Sequence, residues 1–107
     1  MPINTWAEFQ DFMDQCCTRV GADPENASHG RWWRNMSYDT FMTNGKVKKL
    51  RIVAPGNPDD SNLVKALEGR PPFGAGEDFD QMPPDSPFSA QEIGEIRDWI
   101  SRGCPNP

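Results

Sequence analysis

Three cysteines and a single histidine are the side chains of this sequence with the widest chemical range. Cys16 and Cys17 are adjacent, and Cys104 lies far along the chain. An odd count leaves one thiol over under any pairing. Neighbouring cysteines rarely meet disulfide geometry, so a bridge would join Cys104 to Cys16 or to Cys17. Three buried or half-buried thiols in a reducing compartment are the reading preferred to a bridge. His29 could pair with Met82, Cys16 or Cys17 at a non-covalent haem or copper site. No second histidine and no spaced cysteine pair supports such a site, so a loop imidazole beside Gly30 is preferred, and no metal site is assigned. A Cys–His nucleophilic pair lacks the third group that would orient the imidazole, and no catalytic residue is assigned either.

The remaining polar clusters read more simply as solvated surface. Glu77, Asp78, Asp80 and Asp85 lack the regular ligand alternation of a calcium loop. Gly74-Ala75-Gly76 follows a helix and a loop rather than a strand, so it is not a phosphate cradle. Lys46, Lys48, Lys49 and Arg51 form a basic run beside an extended segment. A net charge of −5 disfavours nucleic acid as a partner, because phosphate neutralisation needs a positive surface. No apolar stretch reaches membrane-spanning length. Met1-Pro2-Ile3-Asn4 lacks the charged and apolar regions of a signal peptide, which points to the cytoplasm; a mature periplasmic form with an added Met would begin in the same way.

The elements that must position these groups are short. At 107 residues the chain has room for one domain, residues 1–107, with one core. Eleven Pro and nine Gly imply that much of it is loop. Thr5-Trp6-Ala7-Glu8 reads as a capping box, and Trp6, Phe9, Met13, Cys16 and Val20 follow at helical spacing, with Phe12 beside them and Gly21 as the stop. Ser37 can cap a short helix through Tyr38, Phe41 and Met42, ended by Asn44-Gly45. Leu50-Arg51-Ile52-Val53 is extended. Asp59, Asp60 or Ser61 can cap a helix carrying Leu63, Val64 and Leu67, which Gly69 stops. A Pro/Gly-rich loop runs from Arg70 to Phe88. Ser89-Ala90-Gln91-Glu92 is a second capping box, opening a helix with Ile93, Ile96, Trp99 and Ile100 that Gly103 ends. Gly94, inside that helix, costs about 1 kcal/mol relative to Ala, so a close backbone neighbour is expected there, the first helix above all.

The second half of the chain resembles bacterial cytochrome c-like domains of the class-I fold. Val53-Ala54-Pro55-Gly56-Asn57-Pro58-Asp59-Asp60-Ser61-Asn62-Leu63 is similar to that family's V-x-P-G-x-P-x-x-S-x-L. Met82-Pro83-Pro84, Ser89 to Ile93 and Asp98-Trp99-Ile100-Ser101-Arg102-Gly103 follow in the family's order. Together these segments cover about half the chain. The family attaches haem through C-x-x-C-H-G after its first helix, and Cys16-Cys17-Thr18-Arg19-Val20-Gly21 stands at that place. Cys16 and Gly21 match, but Arg19 replaces the second cysteine and Val20 the axial histidine. Met82 stands at the distal ligand's position, yet one thioether does not hold a haem by itself.

The resemblance implies an all-α, haem-less cytochrome c-like fold with long Pro/Gly-rich loops. It also implies the company of an oxidoreductase, since domains of this family are often fused to or partnered with one. No cofactor is expected. Trp32, Trp33, Tyr38, Phe73, Phe79, Met82 and Phe88 lie in the segments that wrap haem in the family. Without haem, these residues would fill the vacated space or anchor a protein partner, since unfilled core volume costs about 24 cal/mol per Å³. One tryptophan of the adjacent pair is expected to serve each role. The expected function is a non-catalytic interaction module or small accessory subunit, soluble, bacterial and without a membrane partner. The alternative is a redox, metal- or haem-binding protein using Met82 with His29 or a cysteine.

Overall fold

The structure, a computed structural model, describes residues 3–21, 32–43, 45–47, 50–71, 73–74, 76–77 and 88–106. Over these residues the protein is mostly helical. Helix α1 is Trp6–Val20, α2 Tyr38–Thr43, α3 Asn62–Glu68 and α4 Ala90–Ser101. Single 3-10 turns occupy Trp32–Arg34 and Pro58–Asp60. A short ribbon pairs β1 (Lys46–Val47) with β2 (Leu50–Arg51) antiparallel, Lys46 opposite Arg51. His29, Lys48, Lys49, Asp78, Phe79, Asp80, Met82 and Asp85 lie outside the described residues.

Local signals set the helix ends. At α1 the Thr5 hydroxyl accepts from the Glu8 N–H at 3.1 Å, and Gly21 closes the helix in the left-handed region at φ 73°. The Glu8 carboxylate reaches back one residue further than a capping box requires, accepting from Asn4 N–H at 3.0 Å. Ser37 caps α2 by accepting from Thr40 N–H at 3.1 Å. At α4 the box is complete: Glu92 N–H donates to the Ser89 hydroxyl at 3.1 Å, and Ser89 N–H donates to Glu92 at 2.7 Å. Gly103, at φ 89°, follows the last turn and donates to the Ile100 carbonyl at 2.9 Å.

Ser61 departs from its expected role. It stands at the cap of α3, but its side chain makes no cap hydrogen bond. It is fully buried, so its hydroxyl must be satisfied locally. It accepts from Ala54 N–H at 2.9 Å and donates to the Asn57 carbonyl at 3.0 Å, tying down the Pro55-Gly56 turn. The extended stretch ahead of that turn is buried at Ile52 and Val53, and Leu63 N–H donates to the Ile52 carbonyl at 2.8 Å.

The two ends of the described chain are stitched together. Arg102 donates to the Ile3 carbonyl and to Asn4 Oδ1, and Asn106 Oδ1 accepts from Trp6 N–H at 3.1 Å. Arg97 bridges Asp59 and Glu68, fastening α4 to the second 3-10 turn and to α3.

Gly94 is not at a helix crossing. It is exposed, and a Cβ built there meets nothing within 4 Å. The helices α1 and α4 meet instead through long side chains, Trp6 and Phe9 against Trp99 and Arg19 against Glu92. Rings of that size hold the two backbones apart, so no small residue is needed between them. Gly94→Ala should therefore raise stability by about 0.5–1 kcal/mol through helix propensity alone. A lowered midpoint in urea denaturation would show that a backbone or partner does approach this position.

Candidate functional site

Helix α1 turns Trp6, Phe9, Met13 and Cys16 inward, and α4 answers with Ile93, Ile96, Trp99 and Ile100. Their aromatic members form the centre of the molecule. Phe9 and Trp99 stack with centroids 4.8 Å apart and planes 12° from parallel. Phe41 lies 4.7 Å from Trp6 and 5.9 Å from Trp99. Phe9, Phe41 and Trp99 have no measurable exposure. Offset ring pairs of this kind contribute about 0.5–1.5 kcal/mol beyond the area they bury.

Trp32 and Trp33 attach to this centre from one 3-10 turn and are buried to different degrees. Trp33 is 2% exposed. Its Nε1–H donates to Asp14 at 2.8 Å, and its carbonyl accepts from Gln10 Nε2 at 2.6 Å, so the ring is locked against α1. The same Asp14 carboxylate accepts from Arg34, which also reaches Asp11. Trp32 is half-buried; it packs nearly parallel to Phe41 at 6.1 Å and edge-on to Trp33 at 5.5 Å.

The other expected residues are placed as follows. The Tyr38 ring tilts against Trp6 at 6.1 Å and its hydroxyl donates to the Cys104 carbonyl at 2.6 Å. Phe73 is buried in the turn after α3. Phe88 is buried at the foot of α4 and belongs to the main apolar cluster. The structure thus brings Trp32, Trp33 and Tyr38 together around Trp6, Phe9, Phe41 and Trp99. Their spacing in the sequence places these last four on helix faces but does not show that they meet in one stack.

A second junction joins the end of α1 to the start of α4. The Glu92 carboxylate accepts from Arg19 Nε at 2.7 Å and Nη2 at 2.5 Å and from Ser89 N–H at 2.7 Å, and it interacts with the Cys16 thiol. Its Arg19 pair, opposed by burial and aided by Ser89 and Cys16, holds its carboxyl down to about 2 from an ordinary 4.5. Cys16 and Arg19, about one helical turn apart on α1, therefore converge on one acid.

Comparison of the chain with protein-family models, with curated proteins and with solved structures gives no match.

Cys16 and Cys104 are poor nucleophiles in this setting. Cys16, Cys17 and Cys104 are all buried, and none is in a disulfide. Burial, then donation to Glu92, pushes the Cys16 thiol far above its ordinary value, and burial pushes Cys104 up to about 12. Reactive cysteines sit instead in exposed, electropositive surroundings that favour the thiolate. Among the described residues no group of three or more His, Cys, Asp or Glu side chains could hold a metal ion. Nor is any helix among them long and apolar enough to cross a membrane.

The Glu92 junction makes stability pH-dependent in a defined direction. Its carboxyl is more acidic in the folded protein than in the unfolded chain, so its contribution is complete above about 4.5 and is lost as pH falls toward about 2. A shift of this size corresponds to about 3 kcal/mol, which solvent screening at the half-exposed Arg19 reduces to about 1–2 kcal/mol. Glu92→Gln should lose about that much at neutral pH, and the gap from the native protein should close on acidification to pH 2. Parallel acid titrations of the two proteins, followed by circular dichroism, test this. A gap that stays constant over that window would remove Glu92 from the account.

Proposed function

We propose that this chain is a non-catalytic interaction module or small accessory subunit, with a cytochrome c-like architecture that carries no covalent haem. The observation that carries the reading is the commitment of Cys16 and Arg19 to Glu92. At the place where the resembling family binds a cofactor, this chain has a structural joint between helices. Two further features support it. The interior between the start of α1 and the end of α4 is occupied by the chain's own stacked rings, and the two thiols whose acidity is shifted are held protonated. The partner class is an oxidoreductase, as the family resemblance implies, and Trp32 is the candidate contact, being the less buried ring of the pair.

Absorption spectroscopy and intact mass of the purified protein test the first half of this reading. The expected result is no c-type band and the mass of the polypeptide alone. A haem titration yielding a stoichiometric Soret band, abolished in Met82→Ala, would replace the reading with a haem-binding redox protein. Affinity capture from the native host tests the second half. An oxidoreductase subunit should be retained by the native chain and lost with Trp32→Ala, in a variant whose circular dichroism is unchanged. Retention of the same subunit by both proteins would remove Trp32 from the contact.

A further inference from the structure

We draw no further inference here: the strongest candidate, the open groove between α3 and α4 lined by Leu67, Phe88, Ile93 and Gly94, carries nothing because nothing in the structure shows what covers it.

Discussion

Trp99→Ala is expected to cost about 3–5 kcal/mol, enough to leave a domain of this size partly unfolded at ambient temperature. Trp99 has no measurable exposure, and its indole is flanked by Phe9 at 4.8 Å, Phe41 at 5.9 Å and Trp6 at 6.5 Å. Truncation would open a cavity walled by rings from α1 and α2, and stiff aromatic side chains collapse poorly into such space. It would also remove the Nε1–H that donates to the Pro105 carbonyl at 3.1 Å, loosening the segment after α4. That segment carries Asn106, which accepts from the first N–H of α1, so the damage should spread to both ends of the described chain. Trp99→Phe separates the contributions. It keeps a stacked ring and should cost roughly half as much or less. Equilibrium urea denaturation measures both. A Trp99→Ala midpoint within 0.5 kcal/mol of the native value, about the size of an ordinary surface substitution, would mean the ring stack is not the core.

Trp33→Ala should be nearly as damaging, again about 3–5 kcal/mol, while Trp32→Ala should cost clearly less. The two residues are neighbours in one turn, so propensity and local sequence cannot separate them. What separates them is Asp14, which accepts from Trp33 Nε1 at 2.8 Å and so points that ring into α1. Trp32 is left on the outer side of the turn, half-buried over Phe41. Trp33→Phe isolates the hydrogen bond. Its loss should cost about 0.5–1.5 kcal/mol, because Arg34 still satisfies the Asp14 carboxylate. Equal losses for Trp32→Ala and Trp33→Ala would contradict this division. The contrast also decides which tryptophan is usable as a binding probe. Only a residue whose truncation spares the fold can report on a partner, and of the two Trp32 is the one expected to meet the condition.

Much of the fold was legible in particular residues. Thr5, Ser37 and Ser89 announced helix starts, and Gly21, Gly69 and Gly103 announced stops. Such signals are readable because a cap involves partners within about four residues. The inward stripe of α1 was legible for a related reason, since the helical period places Trp6, Phe9, Met13 and Cys16 on one face. The second strand of the ribbon lies in the extended run expected from Leu50, but its pairing with β1 is not legible, because β1 is two residues long, too short to show a period.

The candidate site was legible in composition more than in geometry. The aromatic residues of the first loop and α2 were singled out, and those described are buried or half-buried. The rings they meet, Phe9 against Trp32 and Trp99 against Phe41, come from α1 and α4, on opposite flanks of the sequence. The sequence marks Glu92 only as the acid of a capping box. Its pairing with Arg19 joins groups 73 positions apart, and no local pattern encodes it.

The sequence by itself therefore determined the helical elements, their ends and their buried faces, because those depend on hydrogen bonds and periodicities a few residues long. Tertiary structure alone decided what each buried face meets. It turned Ser61 away from its helix and onto a turn, left Gly94 facing open space, and sent Trp33 but not Trp32 into the core. It also closed Cys16 and Arg19 onto a single carboxylate. Apart from Gly94, the physical reason is common to them. A buried polar group must find a partner, and a large ring must find a complementary surface, wherever in the chain the partner and the surface lie.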